Sequence, residues 1–288
     1  MRKKTKKNEK QSLIFNPIKR LGQNFIFDKV YLQKILNNCL IEENSLVIEI
    51  GSGYGIFTQL IAEKTKCHDI ISLEKDERLF NLLVKKKTDK ITFVLQDALK
   101  IDWGTYGRQL EENRKGKSIN IVGNLPYNIA NSLLIELLLF SNFFSSFSFL
   151  VQEEVARRWL AKPKENNYSA ISVFINFFSL PKIQFLVPGT VFIPNSAVRG
   201  ALVTIILKKE FSFNKIEIKN FWSFLRNCFQ FRRKTLFNNL ISFSNLIEWK
   251  KYYFWKNYSL NLRPSDLSPS EFWELFSFFK KSKVIDNT

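Results

Sequence analysis

The tetrapeptide Asn124-Leu125-Pro126-Tyr127 offers two hydrogen-bond acceptors beside an aromatic face. The Asn124 side-chain oxygen is one acceptor and the Leu125 carbonyl is the other. Pro126 has φ fixed near about −65°, which holds that carbonyl in one direction. Tyr127 can stack on a planar base, an interaction worth about 1–3 kcal/mol. An aromatic amine with two N–H hydrogens, such as N6 of adenine, matches this set. Its lone pair is delocalised into the ring, so it attacks poorly. Two acceptors that hold both hydrogens localise the lone pair and aim it at an electrophilic methyl. The work is orientation and dipole placement, not proton abstraction, because the methylated amine is acidic and sheds its proton. The base must be unpaired or flipped out of a helix. A plain turn after a strand is the alternative reading of these four residues.

A second group of residues suits a nucleoside cofactor. Gly51-Ser52-Gly53-Tyr54-Gly55 follows a short apolar run and precedes a helical pattern. Glycines there permit a tight turn and close approach of a ligand to the backbone. The spacing lacks the third glycine of the dinucleotide fingerprint, and a simple strand-to-helix turn would read the same way. Glu74, 23 positions after Gly51, can accept both hydroxyls of a ribose. Asp97 can accept from the exocyclic amine of an adenine. One histidine, His68, and three dispersed cysteines give no triad and no zinc pattern, so no metal is expected.

These residues need a frame that brings them together. Apolar runs at 45–50, 69–74, 91–97, 118–123 and 146–152 read as strands. Helical patterns at 29–40, 56–64, 76–87 and 130–140 alternate with them, the first placing Val30, Ile35 and Leu36 at helical spacing. A doubly wound parallel sheet follows. In such a sheet, functional groups gather beyond the carboxyl ends of the strands. Glu49, Gly51, Glu74, Asp97 and Asn124 all fall at or just past those ends. After 152 come a helix, a loop around Tyr168 and two late strands near 183–187 and 201–208.

Of the 288 residues, 44 are Lys or Arg and 26 are Asp or Glu, a formal net charge of +18. Such an excess favours polyanions as partners. No apolar run reaches the roughly 18 residues that span a bilayer, so nucleic acid is the expected partner and a membrane is not. The opening MRKKTKKNEK lacks the apolar core of a secretory signal. It reads as a basic arm, with a weak case for an organellar address against a cytoplasmic location. The 29 phenylalanines are too many for one stacking site and read as compositional bias. Residues 214–263 hold ten Lys or Arg and two acids, with Arg232, Arg233 and Lys234 the tightest cluster. A phosphate clamp is the preferred reading and a solvated helix face the plain one.

Taken in order, the blocks resemble a known family. They are Gly22-Gln23-Asn24-Phe25-Ile26 with Asp28, Glu49 to Gly55 with Thr58, Asn124 to Ile129, Arg232-Arg233-Lys234-Thr235-Leu236 and Arg263-Pro264-Ser265-Asp266-Leu267-Ser268. From about 17 to 276 the chain is similar to ribosomal RNA adenine N6,N6-dimethyltransferases of the bacterial small-subunit type. The resemblance implies an α/β fold, a Rossmann-like S-adenosylmethionine-dependent methyltransferase domain followed by a small helical domain. On this chain the division is a basic arm at 1–20, the methyltransferase domain at 21–209 and an RNA-binding helical domain at 210–288. It implies two methyl transfers to each of two adjacent adenosines in the 3′-terminal hairpin of small-subunit RNA, with the immature subunit as partner and the enzyme a monomer. Cofactor contacts are implied at Asn24, Ile26, Gly51, Gly53, Glu74, Asp97 and Asn124. Tyr127 is implied as the stacking aromatic and Phe192 as a second aromatic near the target base. The family's Tyr-Gly-Arg-Leu-Ser reads Tyr168-Ser169-Ala170-Ile171-Ser172 here, without the arginine. The stretch Pro194-Asn195-Ser196-Ala197-Val198-Arg199 lacks the family's lysine and aspartate. Two related alternatives share much of this pattern: a large-subunit adenine methyltransferase of the macrolide-resistance type, and a non-catalytic nucleic-acid-binding relative.

Overall fold

Apolar runs flanked by turn residues become the strands of one sheet. A computed structural model of the protein describes residues 16–113, 117–126, 128–208, 214–241, 252, 256, 258–259 and 261–281. Most of the basic arm, Tyr127 and the 209/210 boundary lie outside the described residues. The parallel strands are β2 (Leu46–Ile50), β3 (Asp69–Glu74), β4 (Ile91–Leu95), β5 (Ile119–Asn124) and β6 (Ser146–Gln152). Two more, β7 (Ser179–Val187) and β9 (Gly200–Leu207), complete the sheet in the order β4-β3-β2-β5-β6-β9-β7. β9 runs antiparallel to both its neighbours, so the sheet is mixed rather than wholly parallel. β2 is buried on both faces because helices cover both, and Glu49 is its one polar residue.

The chain leaves β2 towards β3 and β4, then returns to the other side of β2 as β5. That reversal opens a crevice at the carboxyl ends of β2 and β5, where ligands of such sheets bind. Across it runs a short strand, β1 (Phe25–Ile26), paired with β8 (Phe192–Ile193).

The helices are α1 (Lys29–Asn38), α2 (Ile56–Lys64), α3 (Glu77–Leu83), α4 (Trp103–Asn113), α5 (Ala130–Leu138), α6 (Glu153–Leu160), α7 (Ala170–Phe178), α8 (Lys215–Cys228), α9 (Leu236–Leu240) and α10 (Pro269–Lys281). In α1 the buried face is Leu32, Ile35 and Leu36, whereas Val30 is 77% exposed. Val30 is the second residue of the helix, its amide donating to the Asp28 cap, on the side turned to solvent. α7 and α8 meet through Phe174, Phe177, Phe178 and Phe221, and Trp273 of α10 stacks on Phe177 at 5.0 Å. Each such ring pair adds about 0.5–1.5 kcal/mol beyond burial. Much of the phenylalanine excess is therefore core, and that core continues from the sheet into the helical region. Tyr168 is fully buried and its hydroxyl donates to the Leu267 carbonyl at 2.8 Å, tying the loop before α7 to the turn before α10.

Candidate functional site

The site begins with the turn after β2. Gly51, Gly53 and Gly55 have φ of 82°, 56° and 72°. Side chains rarely adopt these values, so glycine is required for the loop to curl as it does. A carboxylate holds the loop from beneath. Glu74, at the end of β3, accepts the Gly53 amide on Oε2 and the Lys75 and Asp76 amides on Oε1, each at 2.8 Å. Burial raises its pKa, against the three amides. A carboxylate has about four acceptor positions, and three are filled. One remains, on Oε2. Two ribose hydroxyls on Glu74 would have to share that position or displace the Gly53 amide.

Asp97 lies just past β4 on the same rim. Its Oδ1 accepts the Leu99 amide at 3.1 Å, and its Oδ2 pairs with the Lys75 ammonium at 2.6 Å. Burial acts against the charged form, but the bond from Lys75 and the Leu99 amide outweigh it and lower the pKa. Lys75 carries no signal in the sequence, yet any amine donated to Asp97 would share the carboxylate with it.

Glu49 is placed differently from the other rim residues. It is 2% exposed and points into the body of the protein. Thr58 and Ser72 hydroxyls donate to its Oε2 at 2.5 and 2.6 Å, and Ser72 contacts the Ser52 hydroxyl of the glycine loop at 2.5 Å. Burial pushes its carboxyl from 4.5 up to about 7, the two hydroxyls pull it down, and the Glu74 charge adds to the rise. A raised folded pKa means that the folded state binds the proton more tightly, so stability falls as pH climbs from about 4.5 through about 7. Across that window the loss is on the order of 3 kcal/mol at most. Glu49→Gln keeps an acceptor for the hydroxyls and removes the titration. The difference in urea stability between wild type and variant should therefore swing in the variant's favour from pH 4.5 to 8; a difference that does not move with pH would contradict this.

The acceptor corner closes the far side of the crevice. Asn124 is the last residue of β5, and its Nδ2 donates to the Asn24 carbonyl at 2.7 Å. A carbonyl only accepts, so the atom facing it must be the nitrogen. The Asn124 Oδ1 is thereby turned the other way, and it has no partner among the described residues. The Leu125 amide donates to the Leu150 carbonyl at 3.0 Å, while the Leu125 carbonyl takes no bond among the described residues. The two acceptors read from the sequence are thus both available, on the two residues that precede the proline.

The segment 20–27 forms the outer wall. Gly22, with φ of 64°, turns against Pro126, and a Cβ on it would lie 2.9 Å from the Pro126 Cβ. Phe25 and Phe27 sit against Tyr54, at 5.0 and 5.4 Å between centroids. Asn24, Ile26, Gly51, Gly53, Glu74, Asp97, Asn124 and Pro126 all line one cleft. The sequence did not single out Tyr54 or Phe27, since nothing in a glycine loop distinguishes a wall from a spacer.

Phe192 is not on that cleft. It is 2% exposed, and its ring fills the space left by Gly200, where an added Cβ would come within 2.8 Å. In this structure Phe192 packs behind Ile26, its register partner.

Arg232, Arg233 and Lys234 are exposed in the turn between α8 and α9. Arg232 donates to the Asn166 carbonyl, and Arg232 and Arg233 share a pocket with Lys164 and Arg263. Lys234 turns away, its ammonium 4.3 Å over the Phe231 ring. The altered loop at 168–172 is structural, with Ser169 and Ser172 capping α7. Arg199, in the altered stretch after Phe192, pairs with Glu153 at 2.7 Å. Among the described residues no helix is long and apolar enough to cross a membrane, and no group of three or more metal-ligating side chains occurs.

The described crevice has what a nucleoside cofactor requires: an acceptor for a ribose hydroxyl, an acid beside it for an adenine amine, and bare backbone at Gly51. Comparisons with known proteins agree. The sequence profile of the ribosomal RNA adenine dimethylases matches residues 14–271. The ribosomal RNA small subunit methyltransferase A of Ureaplasma urealyticum is 31% identical over 285 residues, covering 98% of this chain and 99% of its own. That of Streptococcus gordonii is 35% identical, covering 78% and 77%. In fold, the chain is similar to a dimethyladenosine transferase from Plasmodium falciparum, with TM-score 0.70, 21% identity and coverage of 90% and 98%. It is also similar to the 23S rRNA methyltransferase ErmE, with TM-score 0.63, 18% identity and coverage of 89% and 99%. The fold is Rossmann-like, and the chain is an S-adenosylmethionine-dependent methyltransferase. Within that class, the chain belongs to the ribosomal RNA adenine dimethylase family.

Proposed function

We propose that this protein methylates the N6 amines of two adjacent adenosines in the 3′-terminal hairpin of small-subunit ribosomal RNA, twice each, acting as a cytoplasmic monomer on the immature subunit. The observation that carries the reading is the Asn124 amide, tied by its nitrogen to Asn24 and presenting its oxygen to the crevice. S-adenosylmethionine supplies an electrophilic methyl on a sulfonium. The chain's part is to hold the amine. Asn124 Oδ1 and the Leu125 carbonyl take its two hydrogens, and Tyr127 stacks on the ring. The methylated nitrogen then loses a proton to water. Asn24, Ile26, Gly51, Gly53, Glu74, Asp97 and Asn124 form the cofactor wall, and Arg232, Arg233 and Lys234 bind backbone phosphates.

The test is methyl transfer from labelled cofactor to unmethylated small subunits, with the modified nucleotides mapped. Dimethylation confined to two adjacent adenosines near the 3′ end is expected. Label on large-subunit RNA, or no transfer at all, would overturn the proposal in favour of the related alternatives. In the same assay, replacing Arg232, Arg233 and Lys234 together by alanine should weaken subunit binding and flatten its salt dependence, because fewer counterions are released.

A further inference from the structure

The wall segment 18–26 touches both ends of the acceptor corner. Gly22 abuts Pro126, and the Asn24 carbonyl holds the Asn124 amide. That carbonyl can orient Asn124 only if the segment is itself fixed on both sides. On the side after Asn24, β1 pairs with β8, and the Phe25 ring lies against Gly53. On the side before it, the tie is Gln23. Its Nε2 donates to Asp76 Oδ2 at 2.8 Å, and its Oε1 accepts the Ile18 amide at 2.8 Å.

Asp76 is a firm anchor. It is 5% exposed and caps α3 through the Arg78 amide. The Arg78 guanidinium grips both its oxygens, at 3.0 and 2.7 Å. Its own amide donates to Glu74. A continuous line of hydrogen bonds and chain therefore runs from Glu74 through Asp76, Gln23 and Asn24 to Asn124.

We propose that Gln23 is a positioning residue for methyl transfer: by tying the segment to Asp76, it fixes the Asn24 carbonyl that sets the direction of the Asn124 amide. This rests on the function proposed above. Displacement of an orienting group by about 1 Å can cost on the order of 100-fold in rate, and such misplacement can be caused well away from the reacting atoms. A residue that merely covers the cofactor would instead change its affinity.

The experiment uses the full chain on unmethylated small subunits, with wild-type, Gln23→Leu and Gln23→Glu proteins. Gln23→Leu removes both bonds. Gln23→Glu keeps the size and the acceptor for Ile18 but sets a carboxylate against Asp76. Turnover is measured at saturating cofactor and subunit, and S-adenosylhomocysteine affinity and thermal midpoint are measured beside it. The proposal expects turnover to fall about 10- to 100-fold in both variants, with cofactor affinity within about threefold of wild type. Unchanged turnover in either folded variant would overturn it, as would a loss of affinity that accounts for the whole effect. An inactive wild-type protein would instead refute the functional reading, so the two failures are distinguishable.

Discussion

Replacing Asn124 with alanine should lower the methyl-transfer rate at saturating cofactor by about 10²- to 10³-fold, the range seen when one preorganised hydrogen-bonding group is removed from a reacting centre. Two separate losses contribute. The target amine loses one of two acceptors, so its lone pair stays delocalised in the ring. The Asn24 carbonyl loses its donor, so the outer wall of the crevice is held less firmly. The second loss is modest, about 1 kcal/mol for a neutral bond that water can partly replace. The variant should therefore fold, with a thermal midpoint close to wild type. Asn124→Asp sharpens the test. It restores an acceptor but places a carboxylate against the Asn24 carbonyl, where a donor is needed. If orientation by that carbonyl matters, Asn124→Asp should remain far below wild type despite its oxygen atoms. Transfer by Asn124→Ala within about fivefold of wild type, with both substrates saturating, would remove the lone-pair argument altogether.

The parts of this site that were legible in the sequence share one physical basis. Glu74, Gly51 and Asn124 sit where apolar runs stop, and in an alternating α/β chain those stops fall on one rim. Positions set by the backbone are therefore readable. Contacts set by side-chain reach are not. Nothing in the sequence pairs Lys75 with Asp97 or Gln23 with Asp76, because the first pair joins two strand ends and the second spans 53 residues. Two helices escaped for opposite reasons. α7 buries almost every residue, so it has no polar face to reveal its period. α4 carries Gly104 and Gly107, which lower helix propensity, yet an added Cβ at either would press within 3 Å of Phe140 or Phe143. Glycine there serves close approach, a requirement visible only once the chain has folded. The packing of Phe192 against Gly200 is of the same kind, a contact between side chain and backbone that the motif around it does not reveal.

Glu74→Ala should weaken cofactor binding by about 100-fold, because the carboxylate does two jobs at once. It supplies the one acceptor position left for a ribose hydroxyl, and a hydrogen bond to a charged group contributes about 1.5–3 kcal/mol. It also holds the Gly53, Lys75 and Asp76 amides, so its removal leaves three donors around a buried gap. Gly53 shapes the loop and Asp76 anchors the outer wall. Both sides of the crevice should loosen, and a lower thermal midpoint should accompany the weaker binding. Glu74→Gln separates the roles. Its oxygen can still accept from Lys75 and Asp76, but its amide nitrogen then faces the Gly53 N–H, donor against donor. The second variant should keep most of the stability and still bind S-adenosylhomocysteine poorly. Titration of both variants against wild type decides the matter. Unaltered affinity in Glu74→Ala would deny the ribose role, and wild-type affinity in Glu74→Gln would show that the negative charge and the Gly53 bond contribute little.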